Sequence, residues 1–600
     1  IMTSKQNKSK NPSLVVKNLN VNYKITKGNV KAVNNVSFQI KPGEALGIVG
    51  ESGCGKTTIA LSLIRLLPNN ISKFNGTIQL NGKKLNTIPD EKFRKTIKWK
   101  EISMVFQGAM NSLNPVLRIG DQVIEPLVNS GEKKSIAKET ALKLLDLVGL
   151  SEDIYSKYPH ELSGGMKQRV IIAMSMVHNP GLIILDEPTS ALDVSVQAQI
   201  MNLLKSLKTR GISMIFITHD IALTSDLCDN IAVMKDGKFI EHGSIDHVIN
   251  NPKHNFTKQL LQSVPSLSSR LQSKKLSSTN KEILDLKNIQ VDFIIRKGLL
   301  SSEPFTAVSG VSLKLNYGET LALVGESGSG KTTLGRVALN LIKPVHGKIK
   351  FQGSIINENT DDFLFRKQAQ AIFQDPYSSI NSFMTIYQIL EEPLIIHKID
   401  KNLHYEKISK VLNDVNLTPP ENYLNKYPHM LSGGQRQRIG IARALILDSK
   451  FIVADEPVSM IDASSRLEIL GLLNSLQKTK NLSFLYITHD IATARQFSDR
   501  IAVMFFGRIV ELGKSNDIVN HPLHPYTRSL IEAIPNLNPK NLFKIRKVIP
   551  RDNFHPQCTY YDKKSNSVID YHINQISHRC RQKHPKLNKI KKNHYVACNL

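Results

Sequence analysis

Cysteine is scarce in this chain of 600 residues, with five in all, and that scarcity excludes a disulfide framework. Three of the five, Cys558, Cys580 and Cys598, fall in the last 43 residues, a clustering that suits a local metal site. No run approaches the roughly 18 apolar residues that a membrane-spanning helix needs. The opening IMTSKQNKSKNPS carries no apolar stretch of a secretory leader, so the chain is expected to stay in the cytosol. Acid is short as well: 51 Asp and Glu against 79 Lys and Arg leave +28, which on its face points to nucleic acid or an anionic membrane surface. Gly 33 and Pro 26 are too few for a collagen-like or low-complexity chain, and 41% apolar with 22% charged residues is a globular composition. At this length one hydrophobic core is not enough, and two or more domains are expected.

What is present is a tandem repeat. GESGCGKTT from Gly50 returns as GESGSGKTT from Gly325, an offset of 275, and LSGGMKQR from Leu162 returns as LSGGQRQR from Leu431, an offset of 269. LDEP from Leu185 and THDIA from Thr218 return in the same order as ADEP from Ala454 and THDIA from Thr488. Each copy mixes β-rich runs such as LIILD and SMIFIT with helical runs such as RVIIAMSMV, so the class is α/β. The boundaries read as a first domain at 1–262, a Ser- and Lys-rich linker at 263–281, a second domain at 282–536 and a C-terminal extension at 537–600.

Gly50-x4-Gly55-Lys56-Thr57 and Gly325-x4-Gly330-Lys331-Thr332 each follow an apolar strand and open a helix, the context a phosphate-binding loop requires. Their glycines free backbone N–H groups to wrap phosphates, Lys56 and Lys331 reach the terminal phosphates, and Thr57 and Thr332 suit Mg²⁺. In LIILDE and FIVADE a strand delivers two acids at its C-terminal end. Asp186 and Asp455 are expected near Mg²⁺, and Glu187 and Glu456 as the bases that orient or deprotonate the attacking water. Ser163-Gly164-Gly165 and Ser432-Gly433-Gly434 precede amphipathic runs and read by themselves as helix N-caps.

Together these elements resemble the ATP-binding cassette (ABC) family, twice over and across nearly the whole chain: two tandem P-loop NTPase domains, each with a helical signature subdomain, and a small Cys-containing tail. The resemblance adds the Q-loop Gln107 and Gln374 as Mg²⁺ and catalytic residues, the D-loop Asp193 and Asp462, and the switch His219 and His489 as γ-phosphate sensors. It implies ATP and Mg²⁺ as ligands, held by Gly50, Ser52, Gly53, Gly55, Lys56, Thr57 and Thr58 in one loop and Gly325, Ser327, Gly328, Gly330, Lys331, Thr332 and Thr333 in the other. It further implies an intramolecular head-to-tail dimer in which each loop faces the other cassette's signature, Ser432 to Gly434 or Ser163 to Gly165. Tyr23 and Phe293, 27 and 32 residues before the loop glycines, take the place of the adenine-stacking aromatic. Neither site lacks its Glu or its signature, so both are expected to hydrolyse ATP. Two positions depart from the family: Gln107 is followed by Gly-Ala where the second copy has Asp375-Pro376, and the second D-loop reads VSMID rather than TSALD.

The segments at 111–127 and 377–394 and the endings HNFTKQLLQSVP from His254 and HPYTRSLIEAIP from His524 look like the oligopeptide/dipeptide importer ATPases, with the two usual polypeptides fused. That likeness implies a peripheral protein at the cytoplasmic face of the membrane. Its expected partners are two integral-membrane permease subunits and an extracytoplasmic solute-binding protein. Peptides, nickel chelates and oligosaccharides all stay open as solutes. The tail resembles that family's four-cysteine segment with its first Cys replaced. Asp552, Cys558, Cys580 and Cys598 are the ligand set for a four-iron four-sulfur cluster, with Zn²⁺ and no metal as the alternatives. The rival class is a soluble twin-cassette ATPase on ribosomes or nucleic acid, favoured by the charge and opposed by the short Ser-rich linker and the C-terminal place of the cysteines. Residues 539–600 alone hold 14 Lys and Arg against 3 Asp, +11 of the excess, which fits work beside an anionic membrane rather than nucleic acid binding.

Overall fold

A computed structural model describes residues 14–25, 28–108, 112–190, 192–264, 281–296, 302–357, 360–375, 379–459, 461, 463–546, 548, 585–591 and 593–598. Each half builds the same two-sheet frame. In the first half, Gly28–Ile40, Leu14–Ile25, Ile71–Leu80 and Lys83–Lys84 form an antiparallel sheet in that order. A second sheet runs Lys238–Ser244, Asn230–Lys235, Ala45–Val49, Ser213–Thr218, Leu182–Asp186 and Ile102–Val105, parallel at every pairing but the first. Ala45–Val49, Leu182–Asp186 and Ser213–Thr218 are buried at every position. That is why their sequences are near-continuous apolar runs rather than alternating ones: a parallel strand is covered on both faces.

The second half repeats the antiparallel sheet with Ser302–Asn316, Glu282–Arg296, His346–Phe351 and Ser354–Ile355. Its main sheet has eight strands: Ala369–Ile372, Phe451–Asp455, Ser483–Thr488, Thr320–Val324, Arg500–Phe505, Arg508–Lys514, His594–Val596 and Asn588–Lys591. The last two come from the tail, and His594–Val596 adds antiparallel to Arg508–Lys514. A helical layer stands beside each main sheet. It comprises Ile119–Asn129, Lys134–Leu147 and Gly164–Ser175 in one half and Ile386–Ile396, His404–Asp414 and Gly433–Leu445 in the other.

The halves pack against each other. Val194 and Ala198, on the first half's helix Val194–Thr209, join the second half's core. Residues 536–546 lie on the first half in return. Ser225 Oγ donates to Asn536 O at 2.9 Å, and Lys205 Nζ donates to Asn541 O at 2.9 Å and Lys544 O at 2.7 Å. Asn202 holds Arg546 through both backbone groups, at 2.9 and 3.1 Å, and the Arg546 guanidinium pairs with Asp226. Among the described residues no helix is long and apolar enough to cross a membrane.

Candidate active site

Each phosphate loop leaves the C-terminal end of a buried parallel strand and turns directly into a helix, Lys56–Leu63 or Lys331–Ala338. Glycine is obligatory at the strand end. A Cβ on Gly50 would lie 2.2 Å from Met234 O, and one on Gly325 2.2 Å from Met504 O, inside the backbone of the neighbouring strand. Gly55 and Gly330 cap the helices with φ of 109° and 102°, a left-handed turn that glycine takes without strain. The lysines curl back over their loops. Lys56 Nζ donates to Gly50 O at 2.8 Å and Glu51 O at 2.7 Å, and Lys331 Nζ to Gly325 O at 2.7 Å and Glu326 O at 2.8 Å. Each ammonium is thus held over its own loop.

The acids arrive at the next strand ends but one. Asp186 is buried, and burial pushes its carboxyl up to about 6, with Thr57 opposing the rise and Glu187 adding to it. Both its carboxylate oxygens are buried without a hydrogen-bond partner. Asp455 is likewise raised by burial, and Thr332 Oγ1 donates to its Oδ1 at 3.3 Å. A buried carboxylate with unfilled lone pairs beside a threonine hydroxyl fits Mg²⁺. Thr57 with Asp186, and Thr332 with Asp455, would hold it alongside the nucleotide's own oxygens, and the ion would neutralise charge on the β- and γ-phosphates.

The glutamates are held differently. Glu187 and Glu456 adopt φ of 48° and 46°, left-handed values costly for a side chain with a Cβ. Their N–H groups donate to Ile217 O and Ile487 O, each at 2.9 Å, which fixes the turn. Gln107 Nε2 donates to Glu187 at 3.1 Å and Gln374 Nε2 to Glu456 at 3.0 Å, while His219 and His489 stand at 3.3 and 3.2 Å from the other carboxylate oxygen. Burial is the largest single influence and would raise both acids, but the histidine contact, the phosphate-loop lysine and a further hydrogen bond from Gln107 or Ser459 together hold each below the usual Glu range. Glu456 in turn lifts His489 above the ordinary imidazole value against its burial. Both glutamates are thus ionised and aimed, the state a water-activating base requires.

One chamber of about 400 Å³ joins the two centres; Gln107, Glu187 and His219 line it together with Gln374, Glu456 and His489. Asp193 of the first D-loop crosses to the second phosphate loop, where Oδ2 accepts from Ser327 N at 2.9 Å and Oδ1 from its Oγ at 3.0 Å. Ser195 Oγ donates to Glu326 beside it. Asp193→Ala is expected to cost about 1.5–3 kcal/mol, the worth of a charged hydrogen bond. The check is ATP affinity at the second site, with an expected loss of about 10- to 100-fold.

The signature serines do cap their helices: Ser163 Oγ accepts from Met166 N and Ser432 Oγ from Gln435 N, each at 3.3 Å. Gln435 Oε1 returns the contact to Ser432 N at 3.0 Å, a full capping box that Met166 cannot make. Gly165 is required for packing, since a Cβ would lie 2.4 Å from Val196. Ser432 and Gly434 line a separate hollow of about 290 Å³ with Arg438, Ser465 and Glu468, all of the second cassette. The two aromatics expected to stack on adenine differ. Tyr23 is half-buried and its hydroxyl donates to Thr58 at 3.3 Å, whereas Phe293 is 41% exposed and pairs in register with Phe305. Of the expected tail ligands, Asp552, Cys558 and Cys580 lie outside the described residues, as does Asp462. Cys598 is half-buried and forms no disulfide. Among the described residues no group of three or more His, Cys, Asp or Glu could hold a metal ion.

Several functional contacts left no mark in the motifs: the left-handed glutamates, the Asp193 bridge, and Arg466, which lines the chamber where the first cassette offers Gln197. The resemblance named Asp193 as a D-loop residue but not its bond to Ser327.

Residues 33–190 and 308–459 match the ABC transporter family, and residues 240–289 and 510–567 match the oligopeptide/dipeptide transporter C-terminal region. The chain is 39% identical over 577 residues to the glutathione import ATP-binding protein GsiA of Salmonella typhimurium, covering 90% of this chain and 92% of that protein. To the protein of the same description from Pectobacterium atrosepticum it is 37% identical over 560 residues, covering 87% and 90%. A solved bacterial ABC transporter cassette, MJ0796 in its dimeric form, aligns at TM-score 0.35 and 32% identity over 38% of this chain and 98% of its own. The chain belongs to the ABC transporter family, as an ATP-hydrolysing importer subunit of the oligopeptide/dipeptide type with both cassettes in one polypeptide.

Proposed function

We propose that this chain is the peripheral motor of an importer for peptides, working at the cytoplasmic face of the membrane through two separate permease subunits fed by an extracytoplasmic solute-binding protein. Two ATP would bind at a head-to-tail interface, each between one cassette's phosphate loop and the other's signature helix. The Asp193 bridge to Ser327 supports that orientation, since it seats one D-loop on the opposite loop. The named activity of the relatives, import of the tripeptide glutathione, supports a short peptide over a nickel chelate or an oligosaccharide.

The observation that carries the membrane partnership is a matched pair of exposed apolar side chains. Val116 is 75% exposed and Phe383 is 91% exposed. Each follows an Asn whose Oδ1 accepts from its N–H, Asn114 at 3.1 Å and Asn381 at 3.0 Å, so both cassettes present the same knob at the entry to the helical layer. An isolated exposed phenylalanine costs apolar hydration that a permease helix would recover. Val116→Asp with Phe383→Asp is expected to abolish co-purification with the permease subunits while ATP binding by the isolated chain persists. Retention of the permeases by the double variant would refute the docking surface, and co-sedimentation with ribosomes in place of permeases would refute the function.

A further inference from the structure

We propose that Tyr526 is a positioning residue for the second ATP site. The phenol is buried at 1% exposure, and its oxygen accepts from the backbone N–H of Glu326 at 3.0 Å, within the phosphate loop itself. Lys331 holds Gly325 O at 2.7 Å as well as Glu326 O, so the Gly325–Glu326 peptide unit is fixed at both its C=O and its N–H. The ring lies 4.2 Å from that of Phe505, which follows the Met504 carbonyl that Gly325 abuts. Loop, strand and helix Pro525–Glu532 therefore close on one another around this side chain.

The phenol is itself set by a chain of contacts. His524, also buried, caps the helix by accepting from Tyr526 N at 3.2 Å, and its own N–H donates to Glu511 at 3.0 Å. Glu511 further accepts from Leu523 N at 2.9 Å and contacts His594 of the tail strand at 2.8 Å. The first cassette builds the same frame, with Glu241 accepting from His254 N at 3.1 Å and His254 accepting from Phe256 N at 3.1 Å. Its aromatic, however, is Phe256, buried under Lys235 at 4.8 Å and carrying no hydroxyl. Tyr526 thus helps hold the second loop in place before nucleotide enters. A loop already in its binding shape loses less conformational freedom when phosphate enters, and so binds more tightly.

The test is Tyr526→Phe in the full chain, with equilibrium binding of a fluorescent ATP analogue. It is read in a Lys56→Ala background, which reports the second site, and in a Lys331→Ala background, which reports the first. Binding at the second site is expected to weaken about 2- to 12-fold, the worth of one neutral hydrogen bond, with the first site unchanged. Hydrogen exchange at the Glu326 amide is expected to quicken. KM for ATP should rise with kcat retained, a split that a general loss of folded protein would not give. Equal weakening at both sites, or an unchanged second site, would overturn the proposal.

Discussion

Glu187→Gln combined with Glu456→Gln is expected to reduce ATP turnover by about 100-fold or more, while ATP stays bound and the cassettes stay closed. Gln matches Glu in shape: its amide oxygen can still accept from Gln107 or Gln374, and its NH2 then faces the histidine nitrogen, which accepts from it in the neutral ring, so the left-handed turns need not relax. What is removed is the negative charge and the basicity, whose catalytic worth is typically 10² to 10⁴. A single substitution is expected to be nearly as severe as the pair. Both carboxylates open into one chamber, and the first D-loop is bonded to the second phosphate loop, so an arrested site holds its neighbour. Phosphate release by the single and double variants measures this. Undiminished hydrolysis in the double variant would refute the roles of both glutamates, and half-activity in each single one would show independent sites.

The phosphate loops were legible because their chemistry leaves few choices. Only glycine fits under Met234 O and Met504 O, and only a long cation reaches from the first helical turn back across the loop. The parallel strands were legible for a related reason, since burial on both faces demands unbroken apolar runs. Contacts whose partners lie far apart along the chain were not readable. Asp193 and Ser327 are 134 residues apart, and Asp226 and Arg546 are 320 apart. Nothing in the periodicity of either segment announces the other. The added strand His594–Val596 is three residues long and follows an exposed Lys-rich partner, so it carries no alternation to detect. Matching positions in the repeat also hid a difference: Tyr526 and Phe256 stand at the same place in the endings that follow His524 and His254, and only the geometry shows that the tyrosine bonds the phosphate loop.

Arg546→Ala is expected to cost about 3–5 kcal/mol in the docking of residues 536–546 on the first cassette, the range for removing one partner of a buried ion pair. Asp226 is fully buried, and burial raises its carboxyl above the usual Asp value even with Arg546 beside it and Lys205 at 3.8 Å. Without the guanidinium that charge is left with one distant cation, and its pKa must climb further. The sign of the pH dependence follows. For an acid raised in the folded state, stability is lost as pH rises from the unfolded pKa through the folded one. The deficit of the variant should therefore be full at neutral pH and shrink as the solution is acidified and Asp226 takes up a proton. Asp226→Asn in the same chain should recover part of the loss, because an amide needs no counter-charge. Limited proteolysis of the tail and denaturant midpoints at pH 7 and pH 5 check all three statements. A variant as resistant as the parent at pH 7, or a deficit that grows on acidification, would show that the pair does not fasten the tail. Helix Ile221–Leu227, which bears Asp226, begins two residues after His219, so the same substitution should also loosen the contact of His219 with Glu187.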